Sequence, residues 1–401
     1  MKLAPLWIGS ALVLTAAGCA APQMDATKLV EKEHGRTLAP TPPADRLEYL
    51  RRAHVFAPVA TGELDLLAGP QGPHAQPFEA QVTCTFYDAA RHHDGASSHG
   101  RTKKFYCTLA DGQKVKVKYG RDNREIYGSV MATRLFWALG VATDIDYPVR
   151  VHCLDCPADP WEVTKHAPHP DHSPRAARDF DDAIIQQLYA GVPIEACDRV
   201  EQGRCTRSHL DEGWHFSELA RVDATVGGAG RAEIDAFRLL TALVAHGDNK
   251  HDNQRLVCPI DAVGEDGRCT APRLMIGDLG ATFGRGASRV LALIDDSSKI
   301  SLEHWAALPV WKSPERCQAY GSVRDGHSHP IIGEAGRALL AEKLAALSDA
   351  QLSDLFTASR VERLDETFKP DHGGERKATV ADWVATFKAK RAQISERRCP
   401  Q

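Results

Sequence analysis

The sequence predicts an α+β fold in which a β-rich segment precedes a larger helical one. Three observations carry this. Apolar residues alternate with period two through Val82, Cys84 and Phe86, and again in Val115-Lys116-Val117-Lys118, as on strands that bury one face. A helical stripe of Ile234, Phe237, Leu240 or Thr241, and Val244 runs through 231–245. The tail carries two helix-start signatures, Ser348-x-x-Gln351 and Thr379 with Asp382, each resembling a capping box. Strands followed by helices point to α+β packing.

Residues 45–55 read as a short helix, and Gly69-Pro70-Gln71-Gly72-Pro73 as a link into the globular part. Residues 104–109 and 113–119 are two strands joined through Ala110-Asp111-Gly112, a hairpin signal. Asp122 or Asn123 caps a helix running to about Leu139, which Gly140 ends. Residues 146–153 resume strand character, 154–178 are irregular, and 179–189 read as a helix. Gly227-Gly228-Ala229-Gly230 precedes the 231–245 helix, and 254–258 and 273–276 are short strands. Trp383, Phe387 and Ile394 mark the apolar face of the last helix.

The chain has 401 residues and a formal net charge of −4 with both signs interspersed. No basic stripe suggests a nucleic-acid binder. Lys2, an apolar run from Leu6 to Thr15 and Ala16-Ala17-Gly18-Cys19 form a secretory signal. Cys19 after these small residues resembles a bacterial lipobox, although Ala16 stands where Leu is commoner. The resemblance implies lipidation at Cys19, with Ala20 favouring an outer-membrane anchor that faces the periplasm. Plain secretion without Cys19 is the alternative. Residues 20–43 are a Pro- and charge-rich tether.

Of eleven cysteines, Cys19 leaves an even number, as disulfides in an exported chain require. Proximity suggests Cys84–Cys107, Cys153–Cys156, Cys197–Cys205 and Cys258–Cys269, leaving Cys317 and Cys399; sequence alone does not prove connectivity. Cys153 and Cys156 with His152, His166, His169 and His172 could also hold zinc. Pro168, Pro170 and Pro174 prevent a regular helix from aligning those histidines, and the disulfide is favoured.

Chemistry concentrates in His246-x-Asp248-x-Lys250-x-x-Asn253 and in Asp278-Leu279-Gly280, which follows a short strand. An Asp, an Asn five residues on and a second Asp after a buried strand can orient a hydroxyl and hold cations. The plain alternative is a polar loop after a helix. With its spacing, the first motif resembles the catalytic loop of the protein-kinase-like superfamily, in its atypical branches. His246-Gly247-Asp248 with Asn253 is the form seen in aminoglycoside and choline phosphotransferases, and Lys250 is the protein-kinase form. Lipid-kinase and persistence-toxin-kinase loops are similar. The resemblance spans roughly residues 80–360.

After a signal at 1–18 and a tether and extension at 19–79, the resemblance implies a two-lobed fold, a β-rich lobe at 80–165 and a helical lobe at 166–401, which the cysteine count suggests is braced by disulfides. It implies a catalytic Asp248, charge balance from Lys250, and Mg²⁺ on Asn253 and Asp278. Lys118 would hold nucleotide phosphates, with Lys116 in reserve. Glu125 would pair with Lys118, although only seven residues separate them, unlike protein kinases. Gly95, Ser97, Ser98 and Gly100 form a candidate phosphate cradle; a plain hairpin loop is the alternative. The implied activity is transfer of a phosphoryl group from ATP, or another nucleotide, to a hydroxyl acceptor. The alternatives are nucleotidyl transfer on the same fold and a pseudokinase-type envelope binding module.

Overall fold

The computed structural model describes residues 38–72, 74–88, 102–166, 172–197, 199–201, 204–206, 213–284, 300–321, 329–369 and 374–400. It is an α+β protein whose described residues build two large apolar cores and a small third cluster of Ala142, Val257 and Met275. The smaller of the two cores fills a closed five-stranded barrel. Its strands are β1 (Gln81–Phe86), β2 (Lys104–Thr108), β3 (Lys114–Tyr119), β4 (Ile145–Cys156) and β5 (Ala176–Gln187), in the order β1-β2-β3-β5-β4. β1 and β4 run parallel; the other neighbours are antiparallel. Period-two patterning makes this closure work. Val115 and Val117 point inward with Phe105, Val149 and Val151, while Lys116 and Lys118 take the opposite face.

β5 corrects a sequence expectation. Residues 179–189 read as a helix, but 176–187 form a strand paired with both β3 and β4. Its acidic first half hides the alternation, and the apolar run Ala183-Ile184-Ile185 is too short to tell a buried strand from a helix. Tertiary pairing decides it. β5 lies beyond residue 165 yet closes the barrel.

The larger core collects most of the helices. These are α1 (Pro43–Arg51), α2 (Glu125–Ala138), α3 (Pro160–Lys165), α4 (Arg231–Leu243), α5 (Leu302–Ala307), α6 (Glu334–Ala345), α7 (Asp349–Ala358) and α8 (Val380–Ser395). α2 packs on β4 and α7, and α4 packs on α6; α3 instead packs against β2. Both capping boxes form, Ser348 with Gln351 and Thr379 with Asp382. Trp383, Phe387 and Ile394 are buried. Arg360 Nη2 donates to the Ala183 carbonyl at 2.8 Å, and Arg363 pairs with Asp182 and Glu79, which ties this body to the barrel.

A small antiparallel sheet completes the frame. β6 (Gly191–Pro193) pairs β9 (Gln254–Pro259), which pairs β10 (Arg273–Ile276); β7 (Arg199–Glu201) and β8 (Arg204–Thr206) form a separate hairpin. Cys84–Cys107, Cys153–Cys156, Cys258–Cys269 and Cys317–Cys399 are disulfides. Cys197 is disulfide-bonded as well, and the side chain of Cys205 lies outside the description. The Cys153–Cys156 bond removes both thiolates that a zinc site would need, and His169 lies outside the described residues. Among the described residues no helix is long and apolar enough to cross a membrane.

Candidate active site

α4 delivers the chain to the 246–253 loop. Its stripe of Ile234, Phe237, Leu240 and Thr241 is buried, so its end is fixed in the core. The Trp305 indole donates to the Leu243 carbonyl at 2.8 Å and the Phe283 amide to Val244 at 2.7 Å. Ala245 then adopts φ 52°, a left-handed turn that ends the helix. His246 is buried behind it. Burial pushes its pKa down to about 4, against the opposing pull of Asp248 and Asp278. The imidazole is neutral at physiological pH, and neither ring nitrogen makes a hydrogen bond of good geometry.

Strand register brings the two motifs together. β9 and β10 pair from Arg273↔Val257 to Ile276↔Gln254. Asn253 and Gly277 sit just past the end of that ladder, where the Gly277 amide donates to the Asn253 carbonyl at 2.7 Å. Asp278 is the next residue. The Asn253 side-chain amide donates to the Asp248 carbonyl at 3.0 Å, and the Lys250 amide donates to the same oxygen at 2.9 Å. This holds the Asn253 amide group by its nitrogen. The Cys258–Cys269 disulfide closes the insert between the two strands.

Lys118 reaches Asp278 from the barrel. Its Nζ lies 3.2 Å from Oδ1 of Asp278. The lysine is 2% exposed, whereas the Asp278 side chain is 46% exposed. Burial opposes the lysine's charge, but Asp278, Glu125 and Asp146 outweigh it and hold its pKa above the usual lysine range. Lys118 holds the Asp278 carboxyl below the usual carboxylate range against burial, with Lys116 and Lys104 assisting. Asp278 has φ 47°, in the left-handed region, a conformation costly for any residue but Gly and least so for Asn and Asp.

α2 backs this pair at close range. A Cβ on Gly280 would stand 3.1 Å from the Glu125 side chain and 3.3 Å from Ser129 Oγ. A Cβ on Gly128 would stand 2.8 Å from the Gly280 carbonyl. The helix and the Asp278-Leu279-Gly280 turn therefore meet backbone to backbone, with Glu125 between them. Glu125 acts on Lys118 through its charge, and the direct ion pair of Lys118 is with Asp278. Gly95, Ser97, Ser98 and Gly100 lie outside the described residues, as does Cys19.

Three ionisable residues that the sequence reading missed, Lys104, Asp144 and Asp146, join the reserve lysine Lys116 in this cluster. Lys104 stands opposite Lys118 in the β2–β3 ladder. Burial and the two neighbouring lysines push its pKa down to about 8. Lys116 aligns with Gln186, and Gln186 with Asp146, so one lateral row carries charge across β3, β5 and β4. Burial raises the pKa of Asp146 while Lys118 and Lys116 oppose it. No hydrogen bond of good geometry reaches either Asp146 oxygen, although the Ser129 hydroxyl lies near enough to favour its charge. Burial pushes Asp144 up to about 6, despite the Tyr189 amide that donates to it at 2.9 Å. The alternation around Lys116 and Lys118 was the only signal; Asp144 and Asp146 needed the β4–β5 register.

The donor set suits a hard divalent cation. Asp278 is ionised and half exposed, and Asn253 supplies an amide oxygen from a side chain held by its nitrogen; Mg²⁺ takes such oxygen ligands. No cluster of three or more His, Cys, Asp or Glu with metal-binding geometry occurs among the described residues. A site on Asp278 and Asn253 would take its remaining ligands from water and phosphate.

No family model matches the chain, and no curated protein matches it. Among solved structures it is similar to a Helicobacter pylori proinflammatory kinase, CtkA, at 8% identity and a TM-score of 0.36, over 80% of this chain and 95% of that one; a likeness so slight carries no argument.

Proposed function

We propose that the chain is a Mg²⁺- and nucleotide-dependent phosphotransferase of the protein-kinase-like superfamily, with the barrel as its β-rich lobe. The observation that carries this is the meeting of three distant segments: Lys118 on β3, Asp278 after β10, and the loop in which Asn253 is bonded to Asp248. A buried lysine beside a half-exposed carboxylate presents a cation and a metal ligand side by side.

In this reading Lys118 binds nucleotide phosphates, with Glu125 supporting its charge. Asp278 and Asn253 hold Mg²⁺, which when bound neutralises charge on the phosphates. Asp248 orients the acceptor hydroxyl and takes its proton as the acceptor oxygen bonds to the γ-phosphorus. The bond to the bridging oxygen breaks, and the nucleoside diphosphate leaves with that electron pair. Lys250 balances charge on the transferred group. The same reading places the protein in the bacterial cell envelope, exported and anchored to the outer membrane through a lipid on Cys19, with a hydroxyl acceptor there and no nucleic-acid partner.

Calorimetric titration of ATP with Mg²⁺ into the purified chain tests this. Metal-dependent binding that weakens at least tenfold in Asp278→Ala and in Lys118→Met is expected. A folded chain that binds no nucleotide would overturn the reading. Binding without turnover would leave an envelope binding module, and transfer of a labelled nucleotide moiety would replace phosphoryl by nucleotidyl transfer.

A further inference from the structure

A polar cavity opens beside α4. It has a volume of about 370 Å³ and lies between α4, Asn249 and residues 318–321 and 329–331. Arg231 and Arg238 line it, two turns apart on one face of α4. Arg231 is partly committed: its Nε donates to Asp235 at 2.7 Å and its Nη2 to the Ile331 carbonyl at 3.3 Å. Among the described residues no hydrogen bond or ion pair engages the Arg238 guanidinium; the Thr241 hydroxyl donates to its backbone carbonyl at 2.8 Å. A guanidinium carries five donors and keeps its charge, so this one is available to a ligand.

A second observation is independent of the arginines. Asn249 also lines the cavity, is 2% exposed, and leaves its carbonyl oxygen without a hydrogen-bond partner. A buried amide oxygen left without a donor is costly, and a ligand donor would relieve that cost. His329 on the facing wall accepts from the Gly321 amide through Nδ1 at 3.1 Å, which leaves its Nε2 as the protonated nitrogen in the neutral ring. Phe216 and Ile331 add apolar walls.

We propose that this cavity binds a small ligand carrying a carboxylate or phosphate group, held by the guanidinium groups of Arg231 and Arg238. Arg238 is the principal anion ligand, since Asp235 already neutralises Arg231. Asn249 accepts a hydrogen bond from a hydroxyl or amine on the same ligand, and Phe216 and Ile331 contact its carbon skeleton. The proposal does not depend on phosphotransfer. Asn249 directly follows Asp248 in the chain, so occupancy here bears on the position of the catalytic loop.

Calorimetry on the full chain with inorganic phosphate, succinate and glycerol 3-phosphate tests this, comparing the native protein with Arg238→Gln and Arg238→Lys. Binding of at least one probe is expected. Arg238→Gln should weaken it tenfold or more, the scale of a charge-assisted hydrogen bond, with the thermal midpoint of the unliganded chain unchanged. Arg238→Lys should recover part of the affinity. Phosphate without succinate, or the reverse, identifies the recognised group. The proposal is overturned if no probe binds or if Arg238→Gln binds as the native chain does. It is equally overturned if Lys118→Met abolishes binding that Arg238→Gln retains, since the anion then sits at the first site.

Discussion

Lys118 Nζ stands 3.2 Å from Asp278 Oδ1, joining a barrel strand to a turn 160 residues further along the chain. The lysine is almost fully buried and the aspartate half exposed. The cation therefore depends on its carboxylates, whereas the carboxylate keeps access to water and to ligands. Asp278→Ala should cost about 1–2 kcal/mol. That is less than a wholly buried pair would lose, because solvent screens the exposed partner. Denaturant unfolding reads this; an unchanged midpoint would mean that Glu125 and Asp146 suffice for Lys118.

The pH dependence of stability should hide two opposed groups. His246 has its folded pKa lowered to about 4, so its contribution is present above its unfolded value near 6.5 and lost as pH falls toward 4. Asp144 has its folded pKa raised to about 6. It penalises the fold above that pH, and relief comes as pH falls toward its unfolded value of about 3.9. Each is worth on the order of 2–3 kcal/mol and they nearly cancel. Between pH 7 and 4, Asp144→Asn should lose stability more steeply than the native chain, and His246→Asn less steeply. Parallel curves for all three would contradict these shifts.

Gly128→Ala is a packing test on α2. Alanine favours a helix interior over glycine by about 1 kcal/mol. Here its Cβ would stand 2.5 Å from Ile300 Cδ1 and 2.8 Å from the Gly280 carbonyl. Overpacking should win, with a net loss of about 1–3 kcal/mol, and Asp278 should shift away from Lys118. Reduced thermal stability with weakened Mg²⁺-nucleotide binding is expected; a gain in stability would show that the contact yields.

Catalysis should divide by residue. Asp248→Asn should lower kcat by about 10²–10⁴-fold with little change in KM, the range for a general base. Asn253→Ala should instead raise the Mg²⁺ concentration needed for half-maximal rate. Steady-state kinetics on any acceptor that supports turnover checks both. Equal losses in kcat/KM without a shift in metal demand would remove Asn253 from the metal site.

Cys317–Cys399 spans 82 residues and Cys153–Cys156 only three. By loop entropy the first should stabilise by about 4 kcal/mol and the second by much less. Paired Cys→Ala variants compared by thermal unfolding test this. A larger loss at Cys153–Cys156 would contradict the loop-entropy account.

The sequence by itself determined most strands and helices of the barrel and core, because period-two and helical stripes report burial locally. It determined the capping boxes, since Ser348 with Gln351 and Thr379 with Asp382 act across three residues. It suggested the four disulfides described here by sequence proximity and by the pair left over, and the structure supplied the connectivity. It also singled out Asp248, Asn253 and Asp278 by spacing alone. Tertiary structure decided what spacing cannot encode. β5 is a strand because β3 and β4 offer it ladders on both sides. Asp278 meets Lys118 because β10 ends level with the start of β9 and α2 packs closely against Gly280. Asp144, Asp146 and Lys104 joined the cluster only through strand register, and Arg238 and Asn249 came to line one cavity only through the packing of α4. A one-residue slip in any ladder would turn these charges to the other face, so their meeting is a property of pairing and not of any short stretch of chain.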